Sequence, residues 1–284
     1  MNINWYPGHM NKARAQIKEK LGLVDLCCEI IDARIPYSSR NHMLEELTRT
    51  KPLLIIVNKS DMADPVETDR WIAALTGKGI MAMPFNAIKD KNTKSIYRAA
   101  VGLIADQLEK RRAKGIDKKE IRMMVFGIPN SGKSTFINNL SGRRSARVGN
   151  RPGVTTSQQW IKTDENLLLM DTPGILWQKF DPIQAYHLAY TGAIRDEVLE
   201  LEELGFSLVR DLLKRDGAIL RDRYGVDVDG EPIEVFDQIA KARGAIGRGG
   251  DIDYRRAAQI LLDDFRKLRL GRISLEKVED YEER

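Results

Sequence analysis

Cysteine, histidine and long apolar runs are all scarce in this chain. Its 284 residues include only two cysteines and three histidines. Cys27 and Cys28 are adjacent, a spacing that bridges only with strain, within an apolar stretch that reads as a buried strand. A disulfide framework is therefore excluded, and reduced core thiols and a cytoplasmic location are expected. No stretch has the eighteen or so consecutive apolar residues that a membrane span needs, so no membrane partner is expected. The opening Met1-Asn2-Ile3-Asn4-Trp5 lacks the charged and apolar regions of a signal peptide. A strong excess of one charge is missing too: 46 basic residues against 41 acidic give a net charge of +5. Such a mild excess is informative only where the charges concentrate.

What is present is ample core material, with 42% hydrophobic residues, and a length that favours two domains. Apolar runs at 24–31, 52–57, 80–85, 121–126, 158–162 and 167–170 read as strands. Helical patterns separate them at 43–48, 68–75, 93–112 and 133–140. Strands alternating with helices predict a mostly parallel sheet covered on both faces. Residues 1–20 read as an arm entering a basic amphipathic helix, and 111–119 as a charged linker. Beyond about residue 179 the strand patterns stop. Helical periodicity follows at 182–190, 192–203, 207–215, 232–243 and 253–269. In the last segment Ile260, Leu261, Phe265 and Leu268 share one side, and Arg255, Arg256, Arg266, Lys267 and Arg269 surround it. The predicted architecture is an α/β domain over 1–178 and a small all-helical domain over 179–284. No apolar seam is left unassigned, which favours a monomer.

Three short motifs carry the chemistry. Gly127-Ile128-Pro129-Asn130-Ser131-Gly132-Lys133-Ser134 fits the phosphate-loop pattern G-x-x-x-x-G-K-S between an expected strand and an expected helix. Its glycines let backbone N–H groups close around phosphates, and the helix N-terminus adds a favourable dipole. The expected nucleotide contacts are Asn130, Ser131, Gly132, Lys133, Ser134 and Thr135. Lys133 is expected to bridge the β- and γ-phosphates, and the Ser134 hydroxyl to bind Mg²⁺. Asp171-Thr172-Pro173-Gly174 ends a strand: Asp171 is placed for the Mg²⁺ shell, directly or through water, and the Gly174 N–H for the γ-phosphate. Between them, Thr155 is a candidate to complete the Mg²⁺ shell, with Thr156 as the alternate. Asn58-Lys59-Ser60-Asp61 follows an apolar run and has the form of a guanine-reading turn. Asp61 can accept from guanine N1–H and the 2-amino group, which adenine cannot supply, a discrimination on the order of several kcal/mol. Asn58 is expected at the N7 edge and against the phosphate loop, with the Lys59 stem over the ring. Asn86 and Ala87, at the next strand end, can donate backbone N–H to guanine O6. The base-reading turn ordinarily follows the phosphate motifs; here it precedes them. The chain reads as a GTPase domain cut open and rejoined at another loop.

These motifs, with Trp5-Tyr6-Pro7-Gly8-His9-Met10, Asp32-Ala33-Arg34-Ile35-Pro36, Arg151-Pro152-Gly153-Val154-Thr155-Thr156 and Ile175-Leu176-Trp177, resemble the circularly permuted GTPases that assist assembly of the bacterial large ribosomal subunit. The resemblance covers almost the whole chain. It implies GTP binding and hydrolysis during late maturation of that subunit, nucleotide-dependent contact of the helical region with ribosomal RNA, and turnover stimulated by the subunit. The sequence leaves open a helical domain that recruits a protein instead. Ile175 stands where Ras-like GTPases keep a water-orienting glutamine. The resemblance implies that His9 supplies the missing group, positioning water or accepting its proton. Two departures from the family pattern are Asn86, where Ser is common, and Ser131, where Val is common. In related GTPases an asparagine at the position of Asn130 helps hold K⁺ near the β–γ bridge.

Overall fold

The computed structural model describes residues 15, 17–90, 93–116, 120–142, 160–172, 174, 176 and 181–281. They form two compact units. One combines the residues through 176 with 276–281; the other contains 181–275. The last described segment, expected with the helices, thus belongs to the first unit.

The first unit is built on six strands: β1 (Leu26–Asp32), β2 (Leu53–Asn58), β3 (Ile80–Phe85), β4 (Ile121–Gly127), β5 (Trp160–Lys162) and β6 (Leu167–Asp171). Their order is β3-β2-β1-β4-β6-β5, with every pairing parallel except β5 against β6. β1 and β2 are buried along their whole length, as continuous apolar strands must be when both faces of a parallel sheet are covered. Glu29 interrupts β1 without penalty, because the Asn41 N–H donates to its carboxylate at 2.8 Å. Burial pushes the Cys27 thiol up to about 12, in line with an unreactive core role. From β1 the chain steps outward to β2 and β3; from β4 it steps the other way. The adjacent carboxyl ends of β1 and β4 therefore form a topological switch point, where open α/β sheets bind ligands.

The surrounding helices are α1 (His42–Thr48), α2 (Pro65–Leu75), α3 (Thr93–Leu103), α4 (Ala105–Ala113) and α5 (Lys133–Ser141). The single helix expected over 93–112 is broken at Ile104, which leaves helical geometry (φ −111°, ψ 18°) and stays in the core. Beyond it α4 has no fully buried residue, and only Leu108 among its apolar side chains packs, partly buried, against the core, too little to hold the two segments in line.

The second unit contains α6 (Pro182–Tyr190), α7 (Leu201–Asp216), α8 (Ala218–Tyr224), α9 (Pro232–Ala242) and α10 (Tyr254–Arg266). Asp181 and Gln184 form a capping box on α6, with Pro182 in its first turn. The helices expected over 192–203 and 207–215 are replaced by a 3₁₀ turn (Asp196–Val198) and the long α7, which runs through Gly205. Gly205 suits a close crossing: a Cβ there would lie 2.5 Å from the Ala258 Cβ on α10. Leu268, expected on the apolar face of the last helix, lies beyond α10 at φ 61° and is exposed. Two of the expected surface cations also tie the unit together. Arg266 pairs with Asp196 at 2.7 Å and donates to the Tyr190 carbonyl at 2.8 Å. Arg269 joins Arg223 and Tyr224 around the buried Asp264. Among the described residues no helix is long and apolar enough to cross a membrane.

Candidate nucleotide site

Each parallel strand delivers a motif to the same edge of the sheet. β1 ends at Asp32, β2 at Asn58, β3 just before Asn86, β4 at Gly127 and β6 at Asp171. Asn58 ties three of them together. Its Nδ2 donates to the Ser131 carbonyl at 2.7 Å, and its Oδ1 accepts from the Ala87 N–H at 3.0 Å. The base-reading turn, the phosphate loop and the loop after β3 thus share one buried amide. Gly132 makes the approach possible: it sits at φ 92°, and a Cβ there would lie 2.2 Å from Asn58 Nδ2. Asn130, at φ 59°, gives the loop its second left-handed residue.

Lys59 spans the same distance on the solvent side. Its Nζ donates to the Asn130 carbonyl at 2.7 Å and pairs with Asp32 at 2.8 Å. Burial alone would favour the protonated acid at Asp32. The bidentate Arg34 guanidinium, at 2.8 and 2.9 Å, and the Lys59 ammonium instead hold its carboxyl well below the usual carboxylate range. Asp32 and Arg34 were quoted from the sequence without a role; an acid at the end of a strand beside the switch point was the available signal. Asp61 is half-buried and forms no hydrogen bond or ion pair among the described residues.

The loop after β3 explains Asn86. Its side-chain oxygen accepts from the N–H groups of Ile88 (3.0 Å) and Lys89 (3.1 Å), and its own N–H donates to Asp90 at 2.7 Å. This is an Asx turn, which a serine forms more weakly. Asn139 of α5 adds a brace by donating to the Ala87 carbonyl at 3.1 Å. Asp90 and Asn139 carried no distinctive sequence signal.

On the phosphate side Lys133 and Asp171 form a buried ion pair. Ser134 and Thr135 occupy the first turn of α5, half-buried. The Ser131 side chain donates to the Ile128 carbonyl at 3.0 Å, so it braces the loop, where only its backbone had been assigned a part. Gly174 lies against the phosphate loop, where a Cβ would stand 3.2 Å from Pro129 N. His9, Thr155, Thr156, Pro173 and Ile175 lie outside the described residues.

A six-stranded sheet whose phosphate-loop strand comes fourth, with the base-reading turn ahead of it, defines a circularly permuted GTPase. The model of the family described as 50S ribosome-binding GTPase matches residues 122–215, starting on β4 and leaving Asn58–Asp61 outside. Ribosome biogenesis GTPase A of Bacillus cereus is 44% identical over 100% of this chain and 96% of its own length. Mitochondrial ribosome-associated GTPase 1 of Mus musculus is 32% identical over 96% of this chain and 90% of its own. The solved GDP-bound structure of TM YlqF superposes with a TM-score of 0.65 at 26% identity, covering 93% of this chain and 100% of that one. The chain belongs to the ribosome biogenesis GTPase A family. It is a GTP hydrolase that binds guanine nucleotides.

Proposed function

We propose that this protein assists late maturation of the large ribosomal subunit, acting as a cytoplasmic monomer whose helical unit contacts ribosomal RNA when GTP is bound. The observation that carries the guanine half of the reading is Asn58, whose one amide joins the base-reading turn to the phosphate loop. The ribosomal half is supported by the names of the relatives and by the exposed Arg255 and Arg256 on α10.

In this reading Asp61 accepts from the guanine N1–H and 2-amino group, and Lys59, anchored by Asp32, covers the ring. The backbone N–H groups of Asn86 and Ala87, expected at O6, are engaged by Asp90 and Asn58, so reading O6 requires one of them to be released when guanine binds. Backbone N–H groups from Asn130 to Thr135 surround the phosphates, and Lys133 exchanges its carboxylate partner for β- and γ-phosphate oxygens. The donors at the end of β6 and the start of α5 fit Mg²⁺: the Asp171 carboxylate and the Ser134 hydroxyl are hard oxygen ligands, and the present partner of Asp171 is a cation that a phosphate would draw off. Thr155 would complete that shell, and Gly174, already against Pro129, would sense the γ-phosphate. Bound there, Mg²⁺ neutralises charge on the β- and γ-phosphates. Asn130, exposed at the loop tip, is the K⁺ candidate, and His9 the residue that orients water. Equal turnover in KCl and NaCl would remove the first role; unchanged subunit-stimulated turnover in His9→Ala would remove the second.

Co-sedimentation with purified large subunits tests the whole. The protein should pellet with them in the presence of a non-hydrolysable GTP analogue and much less with GDP, and its RNA affinity should fall steeply with added salt. Pelleting independent of nucleotide, or retained on protein-only partners in an RNA-free lysate, would contradict the proposal.

A further inference from the structure

After the helical unit the chain returns to the GTPase unit at Glu276. The Glu276 carboxylate is fully buried. It accepts from the N–H groups of Tyr37 (2.7 Å) and Ser38 (3.1 Å) and from the Ser38 hydroxyl. Its backbone carbonyl accepts from Trp71 Nε1–H at 3.1 Å. Further along, Tyr281 stacks on Tyr37 with ring centroids 4.1 Å apart, and Glu279 pairs with Arg70 at 3.1 Å. A buried carboxylate persists only where donors saturate it, so the loop 33–41 is fixed to the tail. That loop is rooted at Asp32, whose N–H donates to Ser39 Oγ at 2.9 Å. Asp32 in turn holds Lys59.

We propose that Glu276 is a positioning residue for guanine recognition: by clamping the loop 33–41 it fixes Asp32, and through Asp32 the lysine that covers the base. The inference rests on the nucleotide role of Lys59 given above. It also gives the tail a consequence beyond packing. The tail is the second covalent link between the two units, the first being the stretch that leaves β6. A clamp that favours the nucleotide-bound site must itself be tightened by nucleotide, because coupling between two sites is reciprocal.

The test is a double-mutant cycle in the full-length protein, with GDP affinity read by calorimetry. Glu276→Ala is expected to weaken GDP binding about tenfold, and by less than about twofold when Lys59→Ala is already present, since the effect travels through that lysine. Equal losses in the two backgrounds, or no loss in the first, would overturn the proposal. Should Glu276→Ala not fold, because two backbone N–H groups are left buried and unpaired, Tyr281→Ala serves in its place. It loosens the tail while leaving the Glu276 carboxylate and its donors in place, and about threefold against no change is expected. A wild-type protein without GDP affinity would instead overturn the nucleotide reading itself, a separate result visible before any variant is made.

Discussion

The two units both bury charge, and they do so to different ends. In the helical unit Asp264 is enclosed by Arg223, Tyr224 and Arg269, donors contributed by the same bundle. Burial opposes its ionisation, and the bonds from Arg223, Arg269 and Tyr224 outweigh burial, holding its carboxyl below the usual carboxylate range. No ligand could offer it better partners. In the GTPase unit the Lys133–Asp171 pair stands at the carboxyl edge of the sheet beside β4, and in the proposed reading a phosphate suits the lysine better and a divalent cation suits the carboxylate better. A buried charge marks a site when its partner is exchangeable and marks architecture when it is not. The sequence shows the charges and not the partners. Arg266 and Arg269 accordingly read only as surface charge until the structure showed Arg266 paired with Asp196 and Arg269 reaching the buried Asp264 from an exposed position.

The contrast can be broken at either end. Lys133→Ala should have the largest effect, lowering GTP turnover about a thousandfold, as loss of a charge-stabilising donor does, while the helical unit melts unchanged. Turnover within tenfold of wild type would show that the pair is architectural after all. Asp264→Ala should come next and act only on stability. It leaves Arg223 and Arg269 without their shared partner, at a cost of about 3 kcal/mol, read by denaturant unfolding, with GDP affinity unchanged. Loss of GDP affinity at equal stability would give Asp264 a part in the site. Asn86→Ser should be the mildest: a serine turn replaces the Asx turn more weakly, so GDP binding should fall by no more than about threefold. A larger loss would mean that the asparagine side chain itself reaches the nucleotide.

Much of the site was legible because its motifs end strands, and strands are written as apolar runs. β3 falls at 80–85 as the apolar pattern predicts, β4 and β6 each run one residue longer, and β2 is shifted by one residue at both ends. The loops that follow them therefore land where the motifs require. What stayed hidden depends on partners distant in sequence. Gly205 reads as a helix break until Ala258 is seen against it. Ile104 looks like a position inside one long helix until its core environment bends the chain. Asp32 and Glu276 are separated by most of the chain, and nothing local announces that one loop joins them. The short α8 at 218–224 has too few periodic positions to register as a helix.

The account depends most on Asn58 drawing the early base-reading turn and the later phosphate loop into one pocket that selects guanine. Calorimetric titration of the purified protein with GDP and with ADP tests this directly. The account predicts that GDP binds at least about a hundredfold more tightly, because ADP leaves the Asp61 carboxylate without its two donors. Equal affinity for the two nucleotides, or no heat with GDP, would contradict it.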